Sequence, residues 1–474
     1  MPKIDQLEIA SNVDGILNRW PAVGLAVGVV RDGALEFSCH GVGSIESAIP
    51  VTENTVFRIG SITKTFTAVA VMQLWEQGLI DLDAPANDYL RAFRLLPAKK
   101  GWRPATTRHL LTHTAGVPEW LHPLRMINSG WVAETFPLEQ RVPTLAEYYQ
   151  GGLRLAVEPG TVWTYTDHGF ATLGQIVEDV SRQPLDRYFR ERIFEPLGMT
   201  DSDLLRAPRL AGRLATGYRL RSDGAKAITD RQGVTPAAGS IYSTPRDMGR
   251  YIAALLAGGA GENGSILRPE TVALMFRPHY QPDPRIPGMG LAFWRVSLSG
   301  RAAVEHQGVV PGFNSQVFLA PDDGIGVIAF TNGSRNAASW LRGEMEQLLR
   351  ELIAVPPEGI RSDVPQHPDI WGELCGRYRP RAQRTDMQAW SILGAAAEVR
   401  VRRGQLILRT LSPIPAAYRG FQLHPDDKQD PYIFRIDLSK YGLNSARVVF
   451  SRDPLGATTG VHLDGVLMSA DKHA

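Results

Sequence analysis

The chain has 474 residues, room for about three domains at roughly 150 residues each, and its 43% hydrophobic and 21% charged residues exclude a disordered, collagen-like or coiled-coil protein. Fifty-one basic against 49 acidic residues leave +2, too balanced to build the field of a nucleic-acid-binding or acidic-membrane-binding protein. The two cysteines, Cys39 and Cys375, form no CxxC or Cys/His ligand spacing, so free thiols are expected, with no metal and no cofactor.

From Ile4 to Trp20 the apolar positions recur every three or four residues and predict an opening helix that Gly15 weakens only slightly. The same segment carries acids where a secretion signal needs an unbroken apolar stretch. With no run near about 18 apolar residues, a cytoplasmic location without a membrane span is expected. Two β-rich runs then meet at Arg31-Asp32-Gly33, an Asp-Gly hairpin signal. Residues Ser61 to Gln77 are apolar on nearly every face and end at Gly78, which predicts a helix buried on most sides.

A Pro-, Gly- and Trp-rich middle, about 84–235, reads as a helical subdomain containing one long helix, Ala171 to Phe194, stopped by Pro196-Leu197-Gly198. Helices near Arg246–Leu256 and Trp340–Ile353 flank the strands SQVFLAP and GIGVIAFTN. The Pro-rich stretch 355–371 reads as a linker, dividing the chain into units 1–355 and 356–474. In the second unit Val399 and Val401, and later Tyr432, Phe434, Ile436 and Leu438, alternate with mainly polar residues. Period two predicts antiparallel strands with one buried face, in a small β-sandwich or barrel. No internal repeat is present.

Ser61-Ile62-Thr63-Lys64 is a Ser-x-x-Lys at the start of the buried helix, a spacing that puts hydroxyl and amine on one face. A serine hydroxyl is a poor nucleophile until a base takes its proton, and a lysine is that base only when burial and positive potential lower its pKa. The helix start supplies such potential, together with N–H groups able to face an oxyanion. With 8 Lys against 43 Arg, a lysine at a motif position is more informative than usual. Ser469-Ala470-Asp471-Lys472 also fits the pattern but lacks the helix start and is set aside. No Gly-x-Ser-x-Gly elbow surrounds Ser240.

Tyr165-Thr166-Asp167 and His306-Gln307-Gly308 follow Ser61-x-x-Lys64 in an order and at spacings that resemble the serine β-lactamase and penicillin-binding-protein superfamily. The closer likeness is to its class C β-lactamase-like branch of esterases, D-amino-acid peptidases and acyltransferases. TTRHLLTHTAGVPEW, EPGTVWTYTDHGF, GSIYSTPRDMGRYIAALL and HQGVVPGFNSQVFLAPDDGIGVIAFTN are similar to that branch, in order. The resemblance implies an α/β, β-lactamase-like fold: an antiparallel sheet flanked by helices plus a helical subdomain, here followed by the small C-terminal antiparallel β domain. It makes Ser61 the acyl-forming nucleophile and Lys64 its base or proton relay, with Tyr165 sharing the proton. It implies an oxyanion hole from the backbone N–H groups of Ser61 and Val309.

Two positions depart from the pattern. Asp167 stands where the motif usually has Asn, replacing an amide that can donate by a carboxylate that only accepts. His306 stands where β-lactamases carry a lysine, and a mostly neutral imidazole recognises a carboxylate more weakly. The expectation is a serine hydrolase on neutral, small or medium acyl esters, with Asp167, His306 and Val309 binding substrate. Amidase, D-aminopeptidase or acyl-transfer chemistry comes next, and a homo-oligomer is left open. The rival is a silent binding or scaffold protein, if Asp167 pins Lys64 as a cation. His113 and Asp247 are expected to hold loops. Trp120, Trp131, Trp163 and Trp294 lie near the motifs as core or pocket residues.

Overall fold

Two runs that are apolar at nearly every position, Gly24–Arg31 and Ile325–Thr331, pair at the centre of a seven-stranded antiparallel sheet in the computed structural model. The structure describes residues 6–121, 134–383, 386, 389, 393–411, 415–465 and 467–473. The sheet runs Trp294–Leu298, Arg301–Val310, Phe313–Ala320, Ile325–Thr331, Gly24–Arg31, Ala34–Ser44 and Ile49–Pro50. Side chains alternate through it. Leu25, Val27 and Val29 meet the helices Gln6–Arg19 and Ala337–Leu352, while Ala26 and Val30 join the larger core with Phe66 and Ile252. Because both faces are covered, the central strands carry no polar alternation. At the first hairpin Asp32 and Gly33 take φ of 49° and 79°, the consecutive left-handed pair of a tight two-residue turn.

Behind the sheet the helix Thr63–Glu76 is buried from Thr63 to Leu74, and Gly78 follows its end at φ 71°. The single helix expected over Ala171–Phe194 is two. Asp167–Ser181 stops where Arg182 turns left-handed, with φ 59°, and Pro184 leads into Leu185–Phe189 and one wide turn to Phe194. The break moves the second helix off the first axis, which an apolar period read along the sequence does not register. No helix among the described residues is long and apolar enough to cross a membrane. Cys39 and Cys375 are free thiols.

Nine antiparallel strands, from Gly376–Pro380 to Met468–Lys472, curl until Phe421–Gln422 approaches Ile433–Asp437, a nearly closed barrel around Tyr378, Phe434 and Phe450. The expected single buried face holds only in part. Phe434 and Ile436 fill the barrel, yet Ile433 and Arg435 on the outer face are buried too, because the barrel docks there. Val401, by contrast, is 49% exposed beside the hairpin turn at Arg403-Gly404.

The docking seam places Ile433, Val449 and Leu467 of the barrel against Trp163, Ile286 and Met289. Arg285 pins it, donating to Asp283 at 2.8 Å, to Asp430 at 2.7 Å and to the Phe450 carbonyl at 2.9 Å. Burial would raise the Asp283 carboxyl, but the Arg285 guanidinium and the Ser451 hydroxyl bring it down to about 2. Its stabilisation is therefore complete above the ordinary carboxyl value of about 4 and is lost as pH falls toward 2. Arg285→Ala is expected to cost about 2 kcal/mol, measured by urea unfolding at pH 7, because two carboxylates lose their partner at a part-buried seam. An unchanged midpoint would show that water replaces the guanidinium without loss.

Candidate active site

Ser61 sits in a tight turn, Gly60–Ile62, that feeds directly into the buried helix. Gly60 has φ 55°, and a Cβ there would lie 2.8 Å from the Val309 nitrogen. Gly308 is tighter still, since its Cβ would fall 1.9 Å from the Ile59 carbonyl oxygen. Two glycines thus let the strand Arg301–Val310 lie backbone to backbone against the Ser61 turn, with Ser315 Oγ donating to the Ile59 carbonyl at 2.8 Å. This brings the Val309 nitrogen and the Ser61 turn together as a pair. Gly308→Ala is expected to cost about 2 kcal/mol of stability and to depress activity by spreading that pair, read by denaturant unfolding and initial rates. Wild-type values for both would mean that the strand yields freely.

Lys64 is fully buried three residues after Ser61. Its Nζ donates to Ser61 Oγ at 3.0 Å, to Asp167 Oδ1 at 2.6 Å and to the Ala238 carbonyl at 2.9 Å. Three acceptors use the three protons of an ammonium. Burial alone lowers the Lys64 pKa, but the Asp167 charge, with Tyr165, outweighs it and holds the amine above its ordinary value. The Tyr165 ring lies beside it, with the centroid 4.7 Å from Nζ. Burial raises the Tyr165 phenol and Asp167 adds to the rise, while Lys64 and a hydrogen bond with Ser61 pull it back without cancelling.

Tyr165 is held from both flanks by His113. The Thr166 N–H donates to His113 Nδ1 at 3.1 Å, and the Thr164 N–H donates to the His113 carbonyl at 2.9 Å. The His113 and Tyr165 rings are 4.5 Å apart. Asp167 opens the helix Asp167–Ser181, where a carboxylate meets the positive end of the dipole, and its side chain stays 43% exposed. Asp247 accepts from the Asp201 N–H and Ser202 Oγ, both at 2.8 Å, and lies away from this group.

His306 is 1% exposed, and its Nδ1–H donates to the Gln307 carbonyl at 2.8 Å. That bond fixes the tautomer, so Nε2 is a bare acceptor, and among the described residues it has no hydrogen-bond partner. Burial, then the Lys64 charge, bring the ring down to about 3, so it is neutral at pH 7.

Ser61, Tyr165, Asp167, His306 and Val309 open on one cavity of about 1790 Å³. Trp120 and Trp294 also line it, Trp163 packs instead in the barrel seam, and Trp131 lies outside the described residues. The third acceptor of Lys64, Ala238 in Pro236–Gly239, was not among the residues singled out from the sequence. The signal was indirect: Thr63 and Thr67, buried in an apolar helix, need partners. They find them here, Thr67 donating to the Ala237 carbonyl at 2.6 Å and Thr63 Oγ1 accepting from the Ile241 N–H at 3.1 Å.

A model of the beta-lactamase family matches residues 10–350. Among curated relatives, a beta-lactamase of Yersinia enterocolitica is 24% identical over 365 residues, 70% of this chain and 88% of that one. Esterase EstB of Burkholderia gladioli is 27% identical over 395 residues, 74% of this chain and 96% of that one. The octameric penicillin-binding protein homologue from Pyrococcus abyssi superimposes with a TM-score of 0.62 at 23% identity, covering 99% of this chain and 100% of the other.

Proposed function

The chain belongs to the β-lactamase family, and we propose that it is a serine hydrolase working through an acyl-Ser61 intermediate, a carboxylesterase on small or medium acyl esters. The observation that carries this reading is the Lys64 ammonium, 3.0 Å from Ser61 Oγ and buried against Asp167 at the wall of a cavity. In this scheme the form of the Lys64–Tyr165 pair that has lost one proton takes the Ser61 Oγ proton as Oγ attacks the carbonyl carbon. The N–H groups of Ser61 and Val309 hold the oxyanion, and the departing alcohol takes the proton back. Water then repeats the steps on the acyl-enzyme and frees the acid. His306 tilts the choice toward neutral esters, because a neutral ring at that position offers a substrate carboxylate no charge.

An amidase or aminopeptidase reading of the same machinery is favoured by one feature, the half-exposed Asp167 carboxylate, which gives a substrate ammonium a partner. Initial rates on p-nitrophenyl esters and amino-acid p-nitroanilides separate the two. Turnover of acetyl to octanoyl esters with slower anilides is expected. Anilide turnover without ester turnover would move the assignment to the amidase.

A further inference from the structure

The cavity that holds Ser61 does not end with the first domain. Its volume, about 1790 Å³, exceeds the roughly 300–1,000 Å³ of an ordinary small-molecule pocket, and part of its wall belongs to the C-terminal barrel. There the apolar part of the wall is Leu408, Ala417, Phe421, Ile436, Leu438 and Leu463, beside polar residues that include Thr410, Ser445 and Asp464. Three of the arginines along the way are paired. Arg342 donates to Glu305 at 3.2 Å, Arg350 to Glu346 at 3.1 Å and Arg435 to Asp426 at 2.8 Å. Paired and largely buried, these three arginines offer little charge to an ionic ligand.

We propose that the open end of the barrel is an apolar subsite that receives an extended hydrocarbon part of the substrate whose carbonyl lies at Ser61. The inference rests on the hydrolase reading and adds to it a second domain that selects the substrate. Continuity with the nucleophile identifies the occupant: a chain anchored at Ser61 and too long for the first domain has this apolar wall ahead of it. The hydrocarbon is carried by the acyl or by the alcohol side of the ester, and both share the same chemistry.

Ala446 is a part-exposed residue of this wall, on the strand Ser445–Arg452 opposite Ile436, so Ala446→Trp shortens the cavity without touching the residues around Ser61. Binding is read first, in full-length Ser61→Ala protein, by the fluorescence of 11-(dansylamino)undecanoic acid. Saturable binding is expected, weakened about tenfold or more by Ala446→Trp, since each methylene excluded from an apolar site costs roughly a factor of four. Phe421→Ser, which removes apolar wall instead of adding bulk, is expected to act in the same direction and serves if the first variant misfolds.

In the Ser61 protein, Ala446→Trp is expected to raise KM for p-nitrophenyl dodecanoate about tenfold and to leave p-nitrophenyl butyrate within twofold. Dodecyl acetate against ethyl acetate repeats the comparison on the alcohol side, and selectivity lost in one series only names the side. Absent probe binding, equal binding in both proteins, or long and short esters falling together would overturn the subsite. Failure of the hydrolase reading looks different: no ester is turned over, while the dansyl titration still decides the subsite.

Discussion

Ser61→Ala is expected to reduce ester hydrolysis to background, a loss of about 10³-fold or more, and to abolish the mass increment of an acyl group trapped on the wild-type protein. The loss follows from geometry. Lys64 donates to Ser61 Oγ at 3.0 Å, and the Val309 nitrogen has been brought to the Ser61 turn by two glycines. The folding cost is expected to be small, about 1 kcal/mol or less, because the hydroxyl lost from Lys64 and Tyr165 is at a part-exposed position and Lys64 keeps two further acceptors. Equal unfolding midpoints therefore make the kinetic comparison clean. Undiminished rates in a purified Ser61→Ala protein would refute the acyl-serine assignment, whereas no turnover by either protein would favour the binding-protein reading.

Asp167→Asn is expected to shift the rising limb of the pH–rate profile toward acid by at least about one pH unit, raising activity at pH 7 about tenfold. The sign is the same whichever residue is the base. Burial lowers Lys64, and the Asp167 carboxylate reverses this. Burial raises Tyr165, and Asp167 raises it further. Removing the charge lowers both, so a larger fraction of the base form is present at neutral pH. In the wild type both groups sit above their ordinary values, so the rate rises about tenfold per unit through the neutral and mildly alkaline range. If Asp167→Asn instead loses activity with an unmoved limb, the carboxylate serves substrate binding and the aminopeptidase reading gains. A lysine pinned as a cation in an inert protein predicts a third pattern, activity that appears only in the variant.

Local chemistry was readable along the chain wherever neighbours in sequence are neighbours in space. Ser61 and Lys64 share a helix face through a spacing of three, the Asp32-Gly33 turn requires two left-handed residues, and the central strands are apolar throughout because both faces are covered. The family likeness carried Tyr165, Asp167 and His306 to the same region. The helix break at Arg182 and the burial of Ile433 and Arg435 escaped, since one depends on a single backbone dihedral and the other on what docks against a strand.

What the sequence determined by itself is the buried helix, the pair of residues at its start and the apolar runs that become the central strands. Only the tertiary structure decided the charge state of that pair, because the pKa of Lys64 is set by its burial and by Tyr165 and Asp167, the latter 103 residues away in the chain. It alone placed barrel residues such as Leu408 and Phe421 on the cavity of Ser61, since the enclosure of a site depends on how separate units pack and leaves no periodicity in either of them.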